Sequence, residues 1–355
     1  MDRVARIVEA VNDARQSRRG LSIAGSGSKR NWLPQTDGEL LVMNEHAGIV
    51  AYDPAELVIT ARAGTPIRVI ADELSRHEQT LAFEPPQFFA SGTLGGMLSA
   101  GLSGPARPWC GSVRDAVLGV EMINGLGERL TFGGQVMKNV AGYDISRLMT
   151  GACGALGPIL QASVRVQPAR DFSLTLRFAL DAGAANELCR QLAGRYLPLT
   201  GTWWNAGLLS LRLAGSEAGV LQAAESLGGD RVQPGNLWQD VRDHSAPFFK
   251  ASDAGVEQRA GQKLWRIVVP AAAPMPAAQD DDLAVEWAGG LRWWWHEDAS
   301  EVAAYAAACN GWAWSLGDQQ PIDGSHRSYM AAIKAAFDPD NIFVSAMNLR
   351  PSDAH

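Results

Sequence analysis

Val4, Ile7, Val8, Val11 and Ala14 recur at three- and four-residue spacing with charged residues between them, which predicts an amphipathic helix over residues 3–18. Short apolar runs follow: LSIA (21–24), LLVM (40–43), GIVAY (48–52) and LVITARA (57–63), each bounded by turn residues and read as a strand. Thr65-Pro66 supplies an N-cap and an N1 proline for a helix whose apolar face is Ile67, Ile70, Ala71 and Leu74. Strands outnumber helices in this stretch. A doubly wound sheet would alternate more regularly.

The texture changes over residues 91–157. The segment AVLGVEMINGLGERLTFGG reads as a hairpin about an NGLG turn, and KNVAGYDISRLMTGACGALGPILQASVRV as a short helix, a glycine loop and a closing strand. Fifteen of these 67 residues are glycine. Such density means either backbone pressed close to another group, with residues at positive φ, or a turn-rich α+β domain. From about 170 to 310 strand-like and helix-like segments alternate, from FSLTLRFAL through KLWRIVVP and LRWWW, which predicts a second α/β domain of ferredoxin-like type. PAAAPMPAAQDDD (270–282) is a surface loop within it, and SHRSYMAAIKAAFDPDNIF a closing helix that packs back on one of the domains. No internal repeat is visible.

Composition narrows the classes. The 46% apolar and 19% charged content fits an ordinary globular chain of two domains, and the net charge of −7 argues against nucleic acid as a partner. Cys110, Cys153, Cys189 and Cys309 share no C-x-x-C spacing, so no iron–sulfur cluster held by this chain and no metal site is expected. Glu9 and Asp13 interrupt the N-terminal apolar pattern, and no run reaches membrane-span length. The expectation is a cytoplasmic protein, with any membrane association carried by partners.

GSGSKR (25–30) looks like a phosphate cradle, yet neither the Walker A nor the dinucleotide spacing fits, because the third glycine of G-x-G-x-x-G would fall at Arg30. NWLPQTDG then has no helical period. Successive backbone amides can form an anion nest without a helix, and two further glycine loops, 91–104 and 151–157, suggest a long ligand with a diphosphate in its middle. IAGSGSKRN, ITARAGTPIRVIADEL, GTLGGMLSAGLSGPARPWCGSVRD and MKNVAGYDISRLMTGACGALGPI resemble, in order, the FAD-binding domain of the vanillyl-alcohol oxidase (PCMH-type) family. With APFFK, KLWRIVVP, WAGGLRWWW and FDPDNIF, the likeness extends over nearly the whole chain and is nearest to the FAD-binding subunits of bacterial glycolate oxidases.

The resemblance implies an α+β fold: a PCMH-type FAD-binding domain of two α/β subdomains over 1–170, a smaller ferredoxin-like cap over 171–317, and a C-terminal helix and tail over 318–355. It implies FAD, held without a covalent bond because neither glycine loop 25–30 nor 92–109 contains histidine. By analogy Gly25, Ser26, Gly27 and Ser28 wrap the pyrophosphate, Thr93, Gly95, Gly96 and Ser99 close on the phosphates and ribityl chain, and Gly104 lies near the isoalloxazine. Gly154, Gly157 and Ile159 pass the cofactor by backbone contact, with plain core as the other reading of Ile159. The implied activity is support of the oxidation of glycolate, or a similar 2-hydroxy acid, in a complex with a catalytic FAD subunit and an iron–sulfur subunit. A non-catalytic relay or assembly subunit and a stand-alone 2-hydroxyacid dehydrogenase are the alternatives.

Hydroxy-acid oxidation needs a base and a cation for the carboxylate. None of the six histidines forms the cluster that catalytic relatives use. His296, His326 and Arg107 are the candidates; a solvated or structural side chain is the favoured reading of the two histidines, and a salt bridge or phosphate contact explains Arg107 as well as a carboxylate does. Trp203, Trp204, Trp293, Trp294 and Trp295 read either as sheet core or as an aromatic surface for a partner.

Overall fold

The computed structural model describes residues 3–29, 32, 36–88, 91–134, 144–250, 259, 261–318 and 324–345. The MKNVAGY stretch and the tail beyond Ser345 therefore lie outside the described residues. The chain forms two units, one of residues 1–102, 112–168 and 322–355, the other of residues 103–111 and 169–321.

In the first unit the helix Arg3–Ser17 buries Ile7, Val11 and Ala14 against Leu21, Leu41, Ile123, Leu160 and Phe343. Each such aliphatic side chain stabilises the fold by roughly 1.5–3 kcal/mol relative to exposure. Strands β1 (Leu21–Ala24) and β2 (Glu39–Val42) pair in parallel. On the other edge of β1, Phe343 forms a parallel bridge to Leu21 and the Val344 amide donates to the Leu21 carbonyl at 2.8 Å. The chain's last described segment thus flanks its first strand.

Next come β3 (Ile49–Asp53), β4 (Val58–Arg62), β5 (Gln79–Thr80), β6 (Val117–Ile123), β7 (Arg129–Gly133), β8 (Ile159–Arg165) and β9 (Gln167–Pro168). All but β5 and β9, which pair with each other, form one antiparallel sheet in the order β3-β4-β8-β6-β7. The β6–β7 hairpin has the turn its sequence predicts: the Asn124 side-chain oxygen accepts the Leu126 and Glu128 amides at 3.0 and 2.9 Å. The start of helix Ile67–Ser75 differs from expectation. Pro66 is the N-cap, and the Thr65 hydroxyl instead accepts the Gly48 amide at 2.9 Å. A distant loop amide outcompetes the local cap.

The second unit carries β10 (Phe172–Ala179), β11 (Leu199–Asn205), β12 (Leu208–Gly215), β13 (Asp230–Val232), β14 (Lys263–Val268), β15 (Leu283–Glu286), β16 (Leu291–His296) and β17 (Trp312–Ser315). They form one sheet in the order β13-β10-β12-β11-β15-β16-β14-β17. The first four strands, numbered 1 to 4 along the chain, stand in the order 4-1-3-2, the ferredoxin-like arrangement. The last four repeat it in mirror sense, 2-3-1-4, and the halves join at their second strands, β11 and β15. The sequence hides this duplication because one half has lost a helix: Ala182–Ala193 links β10 to β11, whereas the proline-rich loop 270–282 links β14 to β15.

Arg292 on β16, fully buried, holds that loop. Its guanidinium donates to the carbonyls of Ala273 (2.6 Å), Pro274 and Gly289 (3.2 Å). Burial lowers its pKa to about 10. The five tryptophans left open by the sequence are core, from 0% exposed at Trp293 to 6% at Trp203. An exposed tryptophan lies instead on the edge strand β17, where Trp312 stacks on the buried Trp314 with centroids 4.4 Å apart. Among the described residues no helix is long and apolar enough to cross a membrane.

Candidate functional site

A cavity of about 350 Å³ opens in the first unit, within the size range of roughly 300–1,000 Å³ typical of ligand sites. Three loops and the end of the chain make its walls. Gly25, Ser26, Gly27, Ser28, Thr93, Gly95, Gly96, Ser99, Gly154 and Ile159 all line it, so ten of the twelve expected cofactor residues come together.

The loops are held to one another by backbone. A Cβ on Gly25 would lie 2.3 Å from the Thr93 hydroxyl oxygen, so only glycine lets the first loop rest against the second. The third loop hangs from the helix Leu94–Ala100, with the Gly151 amide donating to the Leu98 carbonyl and the Cys153 amide to that of Ser99, both at 2.9 Å.

The amides divide into two sets. Around the start of helix Leu94–Ala100 they are used up: Leu94 donates to Thr65 (2.9 Å), Gly95 to Ala63 (2.7 Å) and Gly96 to the capping Thr93 hydroxyl (3.3 Å). Gly95 is small because it packs on Ala63, where an added Cβ would come within 2.8 Å of the alanine methyl. By contrast the amides of Gly25, Ser26, Gly27 and Ser28 donate to no other described residue. Four consecutive residues of the cavity lining thus keep amide donors that an acceptor entering the cavity can take from solvent. Gly27 has φ +75°, the left-handed backbone from which anion nests are built.

Lys29 was not singled out from the sequence. It is 7% exposed, lines the cavity, and its ammonium lies 5.4 Å from the Phe88 ring centroid. A cation beside orphan amides completes the donor set a diphosphate requires. The signal was its place directly after GSGS. Lys29→Met is expected to weaken FAD binding by roughly 10- to 100-fold, the worth of a hydrogen bond to a charged group, as read by flavin fluorescence titration. Unchanged affinity would remove Lys29 from the site.

The other expected residues lie elsewhere. A Cβ on Gly157 would come within 2.1 Å of the Ile123 carbonyl, so that glycine serves backbone packing and does not line the cavity. Gly104 belongs to the second unit, where its carbonyl accepts the Trp287 indole N–H at 3.0 Å. Arg107, exposed, stacks on Trp287 at 4.3 Å. Burial, helped by the Arg107 charge, lowers the neighbouring Arg266 to about 9. His296 accepts the Asp298 amide at 3.0 Å and leans on Trp294, and His326 is exposed on the helix Gly324–Phe337. None of these three candidates lines the cavity. Cys153 does, but burial pushes its thiol up to about 12, so it stays protonated and unreactive at neutral pH.

Comparison with known proteins agrees with this chemistry. Residues 2–133 match the family described as FAD binding domain. The chain is 40% identical to the glycolate oxidase subunit GlcE of Escherichia coli (strain K12) over 342 residues, 95% of each chain. It is 30% identical to the glycolate oxidase subunit GlcD of Bacillus subtilis (strain 168) over 171 residues, 46% of this chain and 36% of that one. A solved alkyldihydroxyacetonephosphate synthase shares the fold, with a TM-score of 0.68 at 14% identity, covering 96% of this chain and 75% of that one. With orphan amides and a buried ammonium facing one cavity, and likeness running from end to end, the chain belongs to the GlcE family of FAD-binding glycolate oxidase subunits.

Proposed function

We propose that this protein is the FAD-binding subunit of a glycolate oxidase assembly, with the first unit as the FAD-binding domain and the second as its cap. The observation that carries the reading is the set of Gly25–Ser28 amides that donate to no described residue, beside buried Lys29. In it the four amides donate to the diphosphate oxygens, Lys29 neutralises their charge, and Ile23 and Ile159 give the cavity its apolar wall. The bound flavin supplies a two-electron acceptor for oxidation of a 2-hydroxy acid. Attachment is noncovalent: the described lining holds no histidine, and its cysteine is a protonated thiol.

The chain's partners are a catalytic FAD subunit and an iron–sulfur subunit, which take the electrons onward. That His296, His326 and Arg107 are not among the cavity's described lining residues favours a second reading, in which a partner holds the catalytic base and this chain would hold FAD for electron relay. The visible spectrum of the FAD-loaded chain, before and after anaerobic glycolate, separates the two. Bleaching of the flavin band assigns substrate oxidation to this subunit; a bound but oxidised flavin assigns it to a partner. A chain that binds no FAD would sink both.

A further inference from the structure

Lys334 on the helix Gly324–Phe337 and Asp338 just past its end form a charged pair that the chemistry above leaves unused. Lys334 and Asp338 are joined directly, with side chains 6% and 0% exposed. The ammonium has three donors and all are placed: on Asp338, on the Ala155 carbonyl at 2.9 Å and on the Phe343 carbonyl at 2.9 Å. The carboxylate also accepts the Ile342 and Phe343 amides at 3.0 and 2.8 Å. Both ions are thus saturated by contacts of fixed direction.

Those contacts lead to the cavity from two sides. Ala155 follows Cys153 and Gly154, and Phe343 precedes Val344 and Ser345; all four neighbours line the cavity. Phe343 is bridged to Leu21 of β1, two residues before the lining residue Ile23. One ammonium therefore ties the third loop to the terminal segment. A buried ion pair is a poor source of stability, because an apolar pair of similar volume often does as well. What an apolar pair would not supply is a set distance between two carbonyls.

We propose that Lys334 and Asp338 are positioning residues for the FAD site, setting the separation between loop 153–154 and segment 343–345 at which the cofactor fits. The proposal rests on the FAD reading of the cavity. The test compares FAD affinity of the wild type, of the charge-neutral double variant Lys334→Met/Asp338→Asn, and of Leu74→Ala, whose side chain is fully buried and lines no part of the cavity. The double variant is expected to raise the Kd for FAD at least about tenfold, and Leu74→Ala, though less stable, to keep it within about twofold. Wild-type affinity in the double variant, or an equal loss in Leu74→Ala, overturns the proposal. Failure of the wild type to bind FAD would overturn the cofactor reading instead.

A second measurement needs no variant. Exchange of the Ile342 and Phe343 amides should slow on FAD addition by about tenfold more than exchange of the Ile70 and Leu74 amides. Equal slowing in both places overturns the proposal even if the double variant does not fold.

Discussion

Gly27→Val is expected to yield a folded, colourless protein whose FAD affinity falls by more than about 100-fold. Two effects add. Valine is β-branched, and holding it at φ +75° costs roughly 1–2 kcal/mol, which a peptide flip relieves by turning the amides of Ser26–Ser28 off their common target. A side chain at a lining position also takes space that the ligand uses. The ratio of 450 nm to 280 nm absorbance after purification reads the effect directly, with fluorescence titration giving the Kd. Stoichiometric flavin in this variant would show that the first glycine loop is not the diphosphate cradle.

Arg292→Met should lower stability by roughly 2–4 kcal/mol, the cost of carbonyls left without a donor after the gain from no longer burying a cation. The Gly289 carbonyl loses its guanidinium contact, that of Ala273 keeps only a 3.5 Å approach from Asn186, and that of Pro274 retains the Tyr305 hydroxyl at 2.8 Å. Methionine conserves much of the volume, so the effect is electrostatic and not a cavity. For a unit of this size the melting temperature should drop by roughly 5–12 °C. Wild-type melting would mean the proline-rich loop is held by its prolines alone.

Much of the fold was legible because local pattern and tertiary packing agree. Ile7, Val11 and Ala14 face the core as their spacing predicts, and the Asn124 turn closes its hairpin through its own side chain. That the GSGS loop lines a cavity was legible as well, since GSGS after a strand leaves few structural roles for so many amides. Three features were not. Residues 103–111 join the second unit although they continue a glycine loop of the first, and nothing in GPARPW marks the crossing. Lys334 and Asp338 stand four apart across the end of a helix, a spacing that reads as an ordinary surface pair; only the fold buries them. The mirrored halves of the second unit escaped detection because a loop replaces a helix, leaving no sequence period to find.

The pairing of Phe343 with Leu21 also has a temporal side. A polypeptide emerges from the ribosome N-terminus first, and domains generally fold as units while synthesis proceeds. Here one edge of the first strand is paired at once by β2, while the other waits for a segment more than three hundred residues later, and the cavity's last wall arrives with it. The cavity is therefore walled on all its described sides only once the chain has been translated through Ser345, after the whole of the second unit.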